Sequence, residues 1–183
     1  MRINNKKLTA GLFSFILIRI IFFVLNRMFD IYFLVFNINQ SAINLIINIL
    51  IIVITTLILN NKFNKRTLKY IINFISLISI GVLLFINLIF NEKSYFYFES
   101  PNKSHTLVIE EDSIFLLGQS KFYERKGLIF IEDLNSEITT DDGYRPFSNN
   151  RYNLKWIDDN SVELEYDNGT GSEEYKKIII KFN

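Results

Sequence analysis

Asp141 and Asp142 stand side by side in ITTDDGYRPFSNN (residues 138–150), followed by a Gly, an Arg-Pro and paired Asn. Acids so placed suggest hydrolysis, cation binding or recognition of a partner. Glycoside hydrolysis needs two carboxylates facing each other across about 5–9.5 Å. Adjacent side chains do not provide that, so the second acid would have to come from another segment. Calcium takes about six to eight oxygens; Asp141, Asp142 and backbone carbonyls would start such a shell, but no Asp-x-Asp-x-Asp-Gly spacing is present. Turn chemistry accounts for the same residues: Asp bonds its own backbone and Gly supplies positive φ, while Arg145 before Pro146 favours extended backbone. Tyr144, Arg145 and Phe147 are types enriched at binding surfaces. Asp141, Asp142, Tyr144, Arg145 and Phe147 are therefore the candidate ligand- or partner-binding residues. The competing reading is a loop pinned onto a sheet by Tyr144 and Phe147.

Other chemistry is thinly represented. His105 is the only histidine and there is no cysteine, so a nitrogen or thiolate metal centre has too few ligands. His105 reads as a strand-end residue. No Gly-rich phosphate motif or basic patch with interleaved aromatics occurs, which argues against nucleic acid. No cofactor, metal site or catalytic residue is expected, and the protein is not expected to be an enzyme.

The elements that must carry these residues divide sharply. Residues 1–91 contain nine Lys/Arg and one acid, Asp30, a balance of +8; residues 92–183 contain eleven Lys/Arg and eighteen acids, a balance of −7. Such asymmetry points to a membrane part joined to a water-facing domain. A helix crossing a hydrocarbon core of about 30 Å needs roughly 20 apolar residues. Ala42–Leu59 and Tyr70–Phe90 carry no charge, and Leu8–Leu25 carries only Arg19. Residues 1–93 are expected to be a transmembrane region with spans near 8–28, 42–60 and 70–91. The apolar run Ile31–Phe36 is too short to span. It is expected to continue the first helix into the interface or to form a short interfacial segment. Arg2, Lys6 and Lys7 precede the first span, and Lys62, Lys65, Arg66 and Lys69 crowd the second connection. The positive-inside rule then places the N-terminus in the cytoplasm and the C-terminus outside.

Polar residues within the spans have two uses. Asn44 and Asn48 share a face with Thr55, and Asn73 and Asn87 share one with Ser76. These faces suit interhelical hydrogen bonds of about 0.6–2 kcal/mol each, or a polar path for a solute. Arg19 lies near mid-span, where it costs about 2.5 kcal/mol or more unless paired or snorkelled. Asp30, eleven residues on, is about 16 Å away along a helix, too far for a direct pair. Lipid phosphate or an acid on a partner protein would serve.

From Ser94 the pattern changes to short β-type runs cut by turns. Strands are expected at 94–99, 105–111, 114–119, 121–126, 127–133, 152–157, 162–166 and 175–182, with Asp112-Ser113 as a separator. Tyr152–Ile157 and Val162–Tyr166 form the clearest hairpin, with Leu154, Trp156, Val162, Leu164 and Tyr166 on one face. Residues 94–183 are expected to fold as a small all-β domain, an antiparallel meander closed as a sandwich or open barrel, close to the bilayer surface.

SPNKSHTLVIEE (100–111), KFYERKG (121–127), ITTDDGYRPFSNN and LKWIDDNSVEL (154–164), in this order, resemble a family of small membrane-anchored proteins from low-GC Gram-positive bacteria, built around a domain of unknown function. The resemblance covers most of 100–166. It implies an envelope protein with an outer domain and supplies no activity, cofactor or catalytic residue. The expectation is thus a multi-pass protein of the cell membrane whose extracytoplasmic β-domain binds a partner protein or ligand, including an immunity-type role. Its partners are the lipid bilayer and a membrane or envelope protein. A sensor or accessory subunit of a membrane complex is the alternative, and a carboxylate-based hydrolase a third reading.

Overall fold

The computed structural model describes residues 5–90, 92–114, 116–171 and 175–182. It separates into a helical unit and a β unit.

The helical unit contains α1 (Asn5–Phe29), α2 (Gln40–Lys62) and α3 (Arg66–Phe90). Lengths of 25, 23 and 25 residues correspond to about 35–38 Å, enough to cross a hydrocarbon core. Neither α1 nor α3 buries a single residue; Phe13, Phe23, Leu77 and Leu88 are each more than two-thirds exposed. A soluble monomer does not tolerate so large an apolar surface, and all three helices have the length and composition of membrane spans. Polar side chains tie them together. Thr56 Oγ1 and Ser76 Oγ share a short hydrogen bond between α2 and α3, and Asn60 Nδ2 donates to Asn73 Oδ1 at 2.7 Å. Asn61 Nδ2 donates to Asn5 Oδ1 at 2.8 Å, joining α2 to α1.

The β unit is assembled from two distant pieces of chain, Phe29–Asn39 and the C-terminal half. Its strands are β1 (Ile31–Val35), β2 (Ile38–Asn39), β3 (Lys93–Glu99), β4 (Thr106–Ile114), β5 (Leu117–Lys126), β6 (Phe130–Thr140), β7 (Tyr152–Asp158), β8 (Ser161–Tyr166) and β9 (Lys176–Lys181). They form a six-stranded sheet, β2-β1-β6-β5-β4-β3, and a three-stranded sheet, β7-β8-β9.

The run 31–36 does not extend the helix; its first five residues form a strand of the β unit. Asp30 takes φ 52° and ends the helix. Ile-Tyr-Phe-Leu-Val, β-branched and aromatic, then forms β1 against β6 with Tyr32 opposite Ile131. Phe36 and Asn37 both adopt positive φ, 46° and 63°, the two-residue turn that matches strand twist. The separator at Asp112-Ser113 is also corrected: both lie inside β4, paired with Gln119 and Gly118. The chain turns after Ile114, although Phe115 itself lies outside the described residues, as do Ser172–Glu174 at the end of the last connection. Leu116 and Leu117 are left exposed there. The expected hairpin forms, with Leu154 opposite Leu164 and Trp156 opposite Val162.

The larger sheet curls into an open barrel. Its two edges meet through side chains: Tyr97 Oη donates to Asn37 Oδ1 at 2.7 Å, and Tyr95 hydrogen-bonds Asn39. Strand alternation therefore builds two cores. Leu34, Val108, Tyr123 and Ile131 fill one with Tyr32 and Tyr95. Leu107, Ile109, Phe122 and Ile138 point the other way, onto Val162, Leu164 and Ile180 of the smaller sheet. Trp156 stacks on Phe182 at 5.3 Å in this second core.

Candidate functional site

The stretch 138–150 begins as the end of β6 and becomes a tightly held loop. Asp141–Gly143 form a single 3-10 turn in which Asp142 has φ 50° and ψ 32°. Both acids are exposed. Their backbone is fastened on two sides: Asp141 N donates to Asn168 O at 3.1 Å, and Gly143 N to Leu116 O at 2.8 Å. Two glycines permit that approach. A Cβ on Gly118 would lie 2.2 Å from Tyr144 O and from Thr140 Oγ1, and one on Gly169 would lie 2.6 Å from Tyr144 Cβ.

The Tyr-Arg-Pro-Phe segment turns inward. Phe147 is wholly buried, its ring packed 4.8 Å from Tyr152 and 5.8 Å from Phe96. It is a core residue and is not available to a partner. Tyr144 is half-buried and its hydroxyl donates to Asp167 Oδ2 at 3.2 Å; burial and then the Asp167 charge hold that phenol above its usual range. Arg145 Nη2 donates to Ser94 Oγ at 2.8 Å, and its Nε lies 3.7 Å from Glu111 Oε2.

Glu111 is the residue on which the loop hangs. Its side chain is fully buried and accepts Phe147 N–H at 2.7 Å and Ser148 N–H at 2.9 Å, together with the Ser148 hydroxyl. A buried carboxylate is stable only with such partners. The sequence carried one signal for it: Leu107, Ile109 and Glu111 alternate on one face of β4, so an acid stands at a core position. Of the five candidate residues, then, Asp141 and Asp142 remain on the surface beside Ser148, Asn149 and Asn150, which are also exposed. The other three hold that surface in place.

A second polar constellation was not legible in the sequence, because it needs β1 to close the barrel. Glu110 is buried inside, with Lys93 Nζ at 2.5 Å on one oxygen and the Tyr95 hydroxyl at 2.6 Å on the other. Tyr32 meets Tyr123 edge to face at 5.7 Å. Burial, then the Glu110 charge, pushes the Tyr95 and Tyr123 phenols far above their ordinary range, so both stay protonated. Burial likewise raises Asp112 and Asp133. Where β6 bulges against β5, between the pairs Lys121–Glu137 and Tyr123–Asp133, a pocket of about 250 Å³ is lined by Lys121, Asp133, Asn135, Ser136 and Glu137.

His105 sits at the rim of the other core, its Nδ1 2.7 Å from Glu124 Oε1 and its ring against Phe182. Among the described residues no three His, Asp or Glu side chains gather to hold a metal ion. In the helical unit Asn73 is bonded to Asn60, Asn44 Oδ1 is enclosed without a hydrogen bond, and Asn48, Asn87 and Arg19 are half-buried.

These features define a class: three apolar helices of membrane-spanning length joined to a small domain of a curled antiparallel sheet and a three-stranded sheet. No family model, curated protein or solved structure matches the chain.

Proposed function

We propose that this is a multi-pass protein of a bacterial cell envelope that holds its β-domain on the extracytoplasmic side of the cell membrane, where the surface around Asp141 and Asp142 binds a partner protein or ligand. An immunity-type protein guarding its own cell would act in this way. The observation that carries the reading is the rigid mounting of an exposed acidic turn. The loop is bonded at Glu111, Asn168, Leu116 and Asp167, so its ordering cost is met on folding rather than on binding, which favours affinity. The charge bias supports the same assignment: Arg2, Lys6, Lys7, Lys62, Lys65, Arg66 and Lys69 gather at one end of the helices, against Arg27 at the outer end of α1.

Photo-crosslinking in intact cells tests it, with the photoreactive residue at Asn149. Wild type is compared with the double variant Asp141→Asn/Asp142→Asn, whose Asn residues tolerate the same turn backbone. A discrete adduct, lost in the double variant while the domain remains folded, is the expected result. An adduct pattern indifferent to these two charges sinks the assignment of the site.

A further inference from the structure

Arg19 has no hydrogen bond or ion pair to any described residue, and its nitrogens are not sealed between the helices. It lies fourteen residues from the start of α1 and ten from its end, or about 21 Å and 15 Å along the axis. An arginine side chain extends about 7 Å, so the guanidinium stops well short of the headgroups at either end. Around it on the helix are Phe15, Ile16, Phe22 and Phe23, which offer no acceptor. The contacts of Asn5 with Asn61 and of Gly11 with Ile54 set Arg19 level with Asn44 and Asn48 of α2, neutral amides that do not offset its charge, while Thr56 is bonded to Ser76 and Asn60 to Asn73. Another copy of this chain does not help either. The only acid in residues 1–91 is Asp30, beyond the end of α1, so parallel copies would set one Arg19 against another.

We infer that the Arg19 face of α1 docks a transmembrane helix of a different protein, one that carries an Asp or Glu near the middle of its span. A carboxylate there satisfies the guanidinium with paired hydrogen bonds in a medium where an unpaired charge is disfavoured. This contact is independent of the acidic turn on the β-domain.

The test uses the full-length protein in the membranes of its own cell, with a photoreactive benzoyl-phenylalanine at Phe23, which is 68% exposed and one turn from Arg19. The expected adduct is with a membrane protein whose crosslinked span contains a mid-depth Asp or Glu. Its yield should fall at least tenfold in Arg19→Leu, persist in Arg19→Lys, and return when Arg19→Asp is combined with Arg at the partner's acid. Arg19→Leu makes α1 more apolar, so insertion is preserved. An adduct with a second copy of the chain, adducts with lipid alone, a partner lacking the acid, or a yield unchanged in Arg19→Leu each overturns the inference.

Discussion

Glu111 and Asp112 are neighbours in sequence and opposites in consequence. Glu111 points to the outer core and is fully satisfied by the loop it anchors. Its loss strands the buried Phe147 N–H, removes the acceptor of the Ser148 N–H and hydroxyl, and uncouples Arg145. Glu111→Ala is therefore expected to destabilise the β-domain by about 3–5 kcal/mol, the cost of breaking a buried pair, read by denaturant unfolding in detergent. Asp141→Asn, on the surface, should stay within about 0.5 kcal/mol. Asp112 points to the barrel interior, half-buried, with one oxygen enclosed and unbonded. Burial raises its carboxyl above the ordinary range, so the folded protein holds that proton more tightly than the unfolded chain does. The resulting penalty is absent below the unfolded value, near 4, and complete once the pH exceeds the folded one. Asp112→Asn should stabilise the domain at pH 7 by no more than about 1 kcal/mol, since water screens a half-exposed group. Near pH 3 the two proteins should unfold alike. A gain that grew as the pH fell would contradict this account.

At the scale of elements, β1 is the decisive strand. It supplies Leu34, fully buried among Val108, Tyr123 and Ile131, and it lies between β2 and β6. Without it the inner core opens and Glu110 loses its dry surroundings. Leu34→Ala should cost about 2–5 kcal/mol and should be detected as lost protection of β6 amides in hydrogen exchange, although the mutation is about a hundred residues away in sequence. If only the hairpin 31–39 loosened and β6 stayed protected, the barrel would not depend on β1. The β4–β5 turn shows the reverse limit. Its apolar run suggested a strand, and the register of β4 with β5 places Leu116 and Leu117 at an exposed corner instead.

For the whole molecule, β1 ties the connection between α1 and α2 to the C-terminal domain. Strands of one sheet share one side of a membrane, so residues 36 and 149 must face the same compartment. The chain contains no cysteine, which makes the test direct. Phe36→Cys and Asn149→Cys should both react with an impermeant maleimide in intact cells. Asn64→Cys, between α2 and α3, should react only after permeabilisation. Labelling of residue 36 and residue 149 from opposite sides would be incompatible with the sheet.

The sequence by itself determined the three apolar helices, the strand-rich second half and the β7–β8 hairpin with its shared apolar face. All are local signals: uncharged runs of membrane length, period-two alternation and turn residues. The exposure of Asp141 and Asp142 in a turn was legible for the same reason. The tertiary structure decided what depends on partners far along the chain. It made 31–35 a strand, because β6 offers it a free edge, and it curled the sheet into a barrel enclosing Tyr32, Tyr95, Tyr123 and Glu110. It also turned Arg145 and Phe147 inward, because a buried acid two strands away supplies the acceptors that their loop requires.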